Sequence, residues 1–184
     1  MFSIGHSTRS ADELIALLKA YDVRAVADVR FLPASRRHPH FNSAALEQRL
    51  SSEQIRYQHF RALGGLRRPR PDSQNSSWRH AGFRAYADHM ETEGFRDALE
   101  ALLSFATPQA SAFMCAETLW WRCHRRLLAD ALTARGIVVR HILSEREAPV
   151  HELTSFARIV DGRVSYHTSQ PQLARSAERR FRLF

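Results

Sequence analysis

The stretch Phe2 to Val29, F-S-I-G-H-S-T-R-S-A-D-E-L-I-A-L-L-K-A-Y-D-V-R-A-V-A-D-V, decides the fold. Phe2 to Gly5 reads as a short first strand. Ser10-Ala11-Asp12-Glu13 is a capping box: the Ser10 hydroxyl can accept from the amide three residues on, and the Glu13 carboxylate can reach back. Leu14, Leu17 and Leu18 then form an apolar stripe at helical spacing. Arg24 to Val29 reads as a second strand. Strand, helix and strand within about 30 residues make a right-handed βαβ unit with parallel strands.

Working outward, Asn42 or Ser43 can cap a second helix running to about Leu50. Ile55 to Phe60 alternates as a third strand. Gly64 to Gly82 is rich in Gly, Pro, Arg, Asn and Ser and predicts a long loop, a feature usually functional or disordered in a compact domain. Phe83 to Phe105 predicts two helices broken near Gly94. Ala110 to Cys115 predicts a strand, Glu117 to Arg135 a helix ended by Gly136, and Ile137 to Leu143 a further strand. Phe156 to Val160 and Arg163 to His167 flank Asp161-Gly162, a two-residue hairpin signal. Pro171 to Phe184 is a basic tail with some helical periodicity. The expected fold is a single Rossmann-like α/β domain over residues 1–184. It has a mainly parallel central sheet, helices on both faces and a C-terminal β-hairpin.

At 184 residues and 44% hydrophobic content, the chain can bury one substantial core. No apolar run is long enough to span a bilayer. The first residues, Met1-Phe2-Ser3-Ile4-Gly5-His6, do not resemble a signal peptide. Two cysteines cannot build a secreted disulfide framework. These features predict a cytoplasmic protein with no membrane partner. The net charge of +8 predicts an anionic ligand: a nucleotide, nucleic acid or a phosphorylated metabolite. Lys19 is the only lysine, so arginine supplies 26 of the 27 basic residues. That bias suits phosphate recognition and equally suits a GC-rich coding sequence.

Ligands of open α/β sheets bind beyond the carboxyl ends of the strands. The residues expected there are His6, Ser7, Thr8 and Arg9, then Asp28 and Arg30, then Cys115 and Glu117, then Ser144, with Tyr57 and His59 alongside. Phe113 to Arg126, F-M-C-A-E-T-L-W-W-R-C-H-R-R, is the densest run of reactive types. Cys115 falls at the expected strand-to-helix turn, where a helix N-terminus and nearby arginines would lower its pKa. A free cysteine ending a buried strand also serves as plain packing. Glu117 is a candidate proton-transfer group, or a carboxylate placed in a first turn for structure alone. Arg122 is a candidate anion contact. Cys123, His124 and Arg125 read as supporting residues, because Trp120, His124, Leu127 and Ala131 continue an apolar stripe. Arg67 to Arg70 with Trp78, Arg79 and His80 mixes cations and an aromatic, which suits base stacking and equally a solvated loop.

The spacing excludes some chemistry. Arg122 follows Cys115 too late, and without glycine, for a cysteine phosphatase loop. A redox C-x-x-C is absent, and the Gly5 turn is neither G-x-G-x-x-G nor a Walker loop, so no cofactor is named. Cys115, Cys123 and His124 lack regular zinc-ligand spacing and would need His6 or Glu117 added, so no metal ligands are assigned.

Together, Ile4-Gly5-His6-Ser7-Thr8-Arg9, Asp28-Val29-Arg30 with Pro33 and Ser35, Phe41-Asn42, Leu63-Gly64-Gly65, and Met114-Cys115-Ala116-Glu117 with Trp121-Arg122-Cys123-His124-Arg125 resemble one family. It is the group catalogued as domain of unknown function 488, and the likeness covers about residues 1–145. It implies a compact Rossmann-like domain and marks His6, Ser7, Thr8, Asp28, Arg30, Cys115, Glu117, Arg122, Cys123 and His124 as motif residues. It implies no particular reaction. Two main functional expectations stand side by side. One is an enzyme acting on a nucleotide, nucleic acid or other phosphorylated substrate through Cys115 and Glu117. The other is a non-catalytic nucleotide- or nucleic-acid-binding module. A metal-binding protein is a third.

Overall fold

A computed structural model describes residues 1–167. The expected helical tail after Pro171 lies outside the described residues. The chain opens with β1 (Phe2–Gly5), α1 (Ala11–Ala20) and β2 (Ala25–Asp28). The Ser10 box forms as expected. The Glu13 amide donates to Oγ of Ser10 at 3.1 Å, and the Ser10 amide donates to a Glu13 carboxylate oxygen at 2.6 Å. Then follow α2 (Ser43–Ser51), β3 (Arg56–His59), α3 (Ala81–Met90), α4 (Glu93–Ala106), β4 (Ser111–Cys115), α5 (Arg125–Ala134), β5 (Arg140–His141) and the hairpin β6 (Arg158–Val160) and β7 (Arg163–Ser165). Residues 64–80 carry no helix or strand, in line with the expected long loop.

The five strands β1 to β5 form one all-parallel sheet in the order β3-β2-β4-β1-β5, and β6 and β7 pair antiparallel. Alternation along the strands supplies two cores. Ile4, Val26, Ala112 and Met114 pack with Leu14 and Leu18 of α1 and Leu46 and Leu50 of α2. Ala27 and Phe113 face the other way, onto Tyr86 of α3, Leu99 of α4 and Leu127 of α5. Helices therefore cover both faces. Right-handed crossovers explain the order: β1 to β2 to β3 moves one way with α1 and α2 on one face. The chain then returns under α3 and α4 to insert β4 between β1 and β2. Among the described residues, no helix is long and apolar enough to cross a membrane.

Several boundaries differ from the sequence reading. The break between α3 and α4 falls at Thr92, whose hydroxyl caps the Phe95 amide at 3.2 Å, and Gly94 sits inside α4. β5 is two residues long, because Leu143 turns back to bond the Glu147 carbonyl. The larger difference follows β4. The expected helix from Glu117 begins only at Arg125. Residues Trp120–Arg122 make a single 3-10 turn, and Cys123 is extended (φ −123°, ψ 151°), which interrupts any continuous helix. The carbonyls of Glu117 and Thr118 are turned onto the buried Arg125 guanidinium instead of into a helical ladder. Gly136 (φ +76°) stops α5, and Asp161 (φ +50°) and Gly162 (φ +69°) make the hairpin turn, with both positive φ values a type I′ turn needs.

Candidate functional site

The strand order creates the site. The chain leaves β1 and β2 toward one face of the sheet and leaves β4, which lies between them, toward the other. Such reversals open a crevice at the carboxyl ends. Cys115, the last residue of β4, lies at that opening. A cleft of about 370 Å³ lies beyond it. One wall is Cys115 to Glu117 with Arg122 to His124, and another is Arg30 to Leu32 after β2. Gly65 and Leu66 of the long loop close it with His80, Gly82 and Phe83 at the start of α3.

The irregular segment between Cys115 and α5 is held from below. Arg125 is 1% exposed. One terminal nitrogen donates to the Ser3 hydroxyl at 3.1 Å, and the other donates to the carbonyls of Glu117 and Thr118. No carboxylate pairs with it among the described residues. Gly5 permits the crossing: a Cβ there would lie 1.9 Å from the Glu117 carbonyl oxygen, far inside contact distance.

This crossing brings the two thiols together. One donor atom each from Cys115, Cys123 and His124 lies within 4.8 Å of the others. The Nε2 of His124 is 3.0 Å from the Val29 carbonyl, so Nε2 carries the proton. Nδ1 faces the Cys123 sulfur at 3.5 Å and can share one proton with it. A hydrogen bond from Cys115 pulls the Cys123 thiol well below its ordinary range, helped by His124 and Arg125. The same hydrogen bond, with burial, pushes Cys115 well above it. The helix-terminus argument for an acidic Cys115 therefore does not apply, because the helix starts ten residues later. The stabilised thiolate belongs to Cys123, with Cys115 donating to it.

Arg30 overhangs the cleft from a buried network. Its Nε donates to both oxygens of Asp28 at 2.9 and 3.0 Å, and Tyr57 donates to the same carboxylate at 2.7 Å. Another Arg30 nitrogen lies 3.3 Å from Nε2 of His6, whose Nδ1 bonds the Ser7 carbonyl at 3.0 Å. His6 stacks on Phe41, ring centroids 4.0 Å apart. Burial first, and then the Arg30 charge, lower its pKa to about 4, so it accepts from Arg30 as a neutral ring. Asp28, fully buried, anchors Arg30 from beneath. His59 adds a 2.8 Å bond to the Arg30 carbonyl.

The expected residues thus divide. Arg30, Cys115, Glu117, Arg122, Cys123 and His124 border one cleft, with His6, Asp28 and Arg125 behind them. Glu117 is exposed, and one carboxylate oxygen accepts from the Leu119 amide at 3.1 Å. The turn after β1 does not present a ring of free amides. The His6 amide donates to Cys115 at 3.0 Å and the Ser7 amide to Ala116 at 2.9 Å. Ser7 (φ +50°) and Thr8 are not among the cleft residues, and Arg9 and Ser144 face a separate groove of about 540 Å³. That groove is larger but offers no thiol, so the smaller cleft is the chemical candidate. Trp78 is buried against Phe83, Phe156 and Tyr166 and offers no face for base stacking. Arg67 is spent on the carbonyls of Gly64 and Ala62.

Sequence reasoning passed over the apolar lips Leu32, Leu66 and Phe83, whose role depends on loop placement. It also passed over Asp130, which accepts from His151 at 2.8 Å, Tyr166 at 2.7 Å and the Thr154 amide at 2.9 Å. An aspartate inside the apolar stripe L-L-A-D-A-L of α5 was the available signal.

Comparison with curated proteins and with solved structures returns no match. The family model described as domain of unknown function DUF488 matches residues 10–132, a span from the start of α1 into α5 that takes in Arg30, both cysteines and His124, and the chain belongs to that family.

Proposed function

We propose that the chain is an enzyme acting on a nucleotide or another phosphorylated substrate held in the cleft beyond β4. The observation that supports it best is the meeting of Cys115, Cys123 and His124 at the wall of a cleft also bordered by Arg30 and Arg122. Arg122 is exposed and forms no ion pair among the described residues, so its donors are available to an anion. Arg30 is preset by Asp28, which removes the entropy of ordering it on binding. Leu32 and Leu66, 68% and 73% exposed, and Phe83 offer an apolar face for a base or similar body. Cys115, the less buried of the two thiols, serves as nucleophile or as ligand after passing its proton to Cys123, and Glu117 moves the proton on the substrate side.

The test is calorimetric titration with nucleoside mono-, di- and triphosphates and sugar phosphates, coupled to product analysis by mass spectrometry. Arg122→Ala is expected to weaken the best ligand about tenfold, or about 1.4 kcal/mol. Cys115→Ser is expected to keep binding and lose turnover. If the wild type binds a ligand but never converts one, the non-catalytic binding module replaces the enzyme. If no phosphorylated ligand binds better than inorganic phosphate, the anionic reading falls.

A further inference from the structure

We propose that Cys115, Cys123 and His124 bind a zinc ion, with its fourth position open to the cleft. The inference rests on the cleft being the functional site and adds a cofactor to it; Cys115 then acts as ligand rather than nucleophile.

Three observations carry it. First, the donor set is two thiols and one imidazole whose ligating atoms all lie within 4.8 Å of one another, close enough for one ion with Zn–S near ~2.3 Å and Zn–N near ~2.0 Å. Sequence spacing concealed this, because Cys123 and His124 approach Cys115 through the irregular crossing and not along one helix. Second, the imidazole is already oriented as a ligand. Its Nε2–H donates to the Val29 carbonyl at 3.0 Å, which leaves the Nδ1 lone pair on the sulfur side. Metal-bound histidines are fixed by this kind of bond from the other ring nitrogen. Gly65 braces the ring, since a Cβ there would lie 2.4 Å from Nδ1. Third, the charges balance with an anion in the open position. Two thiolates cancel one Zn²⁺, and the buried Arg125 leaves one positive charge with no carboxylate partner among the described residues. A hydroxide or a substrate oxyanion as fourth ligand makes the set neutral. Three protein ligands and one exchangeable position is the arrangement of catalytic zinc, and two thiolates favour zinc over magnesium or calcium.

The test uses the full chain, purified under reducing conditions and stripped with chelator. Titration with Zn²⁺ followed by elemental analysis is expected to give one equivalent per chain. Co²⁺ is expected to give thiolate-to-cobalt charge-transfer absorption and tetrahedral d–d bands, displaced by Zn²⁺. Bound zinc is expected to slow iodoacetamide alkylation of both cysteines at least tenfold, read by peptide mass spectrometry on the wild type, so the result does not depend on any variant folding. Cys123→Ser and Cys115→Ser are each expected to lose the charge-transfer band, and Arg122→Ala to keep it. No stoichiometric uptake by reduced wild-type protein overturns the proposal, as does uptake that leaves alkylation unchanged. Phosphorylated-ligand binding and turnover undiminished in chelator would remove the zinc and leave the enzyme reading intact. Zinc uptake without any phosphorylated ligand would do the reverse.

Discussion

His6 shows how one side chain can be both support and liability. It is 3% exposed, stacked on Phe41, and receives a bond from Arg30. Its pKa falls from 6.5 to about 4, through burial first and the Arg30 charge second, partly offset by the Ser7 carbonyl and Asp28. The unfolded chain therefore takes up this proton before the folded one. Stability is complete above pH ~6.5, declines as pH falls toward 4, and the loss levels off below that. His141, lowered to about 3 chiefly by burial and by His151, acts in the same direction. At pH 5 the His6 contribution is a loss on the order of 2 kcal/mol relative to pH 7.5. Guanidinium unfolding at the two pH values should show a markedly smaller difference for His6→Asn than for wild type. Equal differences would mean that His6 does not titrate with folding.

At the scale of elements, the crossing from β4 to α5 carries the site, and glycine backbone makes room for it. Gly65→Ala would set a Cβ 2.4 Å from His124 Nδ1. The ring must then swing away from Val29 and Cys123, or the loop must lift. Overpacking of this kind costs about 1–3 kcal/mol. The expected result is lower thermal stability together with a Cys123 thiol that loses its imidazole partner. That loss should appear as a higher apparent pKa in thiolate absorbance against pH. An unchanged titration would show that the loop, not the ring, gives way. The regular elements were legible in the sequence because local signals and packing agreed: the Ser10 box started α1, Gly136 stopped α5, and Asp161-Gly162 turned the hairpin. The crossing was not legible. Trp120, His124 and Leu127 have helical spacing, but the buried Arg125 draws the Glu117 and Thr118 carbonyls out of any helix. Arg125 is held there from far along the chain, by the Ser3 hydroxyl and by the close pass of Gly5 against Glu117, so no window of neighbouring residues records it. The strand ends, by contrast, could be placed from the sequence, so six of the candidate residues border one cleft, while the relation between Cys115 and Cys123 depends on the crossing and was not legible.

At the scale of the whole molecule, the segment beyond the family match completes the core. The match ends at residue 132, yet Asp130 inside it is fully buried and depends on later residues: His151, the Thr154 amide and Tyr166. Tyr166 also packs its ring on Trp78 and Phe156, so β7 and its flank close the face formed by α3 and α5. His151 in turn bonds His141 at 3.0 Å, and His141 stacks at 4.0 Å on Trp120, in the crossing that bears the thiols. Two effects compete in Tyr166→Phe. The ring contacts survive, so little hydrophobic burial is lost, whereas one oxygen of a buried carboxylate loses its donor. The second effect wins, because an unpaired buried acceptor costs about 1–3 kcal/mol, and more when charged. For a chain of this size that corresponds to a fall in Tm of roughly 2–12 °C, measured by calorimetry. Phosphorylated-ligand affinity should stay within about twofold, because the hydroxyl lies outside the cleft. A shift in Tm of less than 1 °C would mean that water replaces the hydroxyl and that the hairpin is an appendage to the fold. A large loss of ligand affinity would instead mean that the Asp130, His151, His141 and Trp120 chain sets the position of the thiol wall.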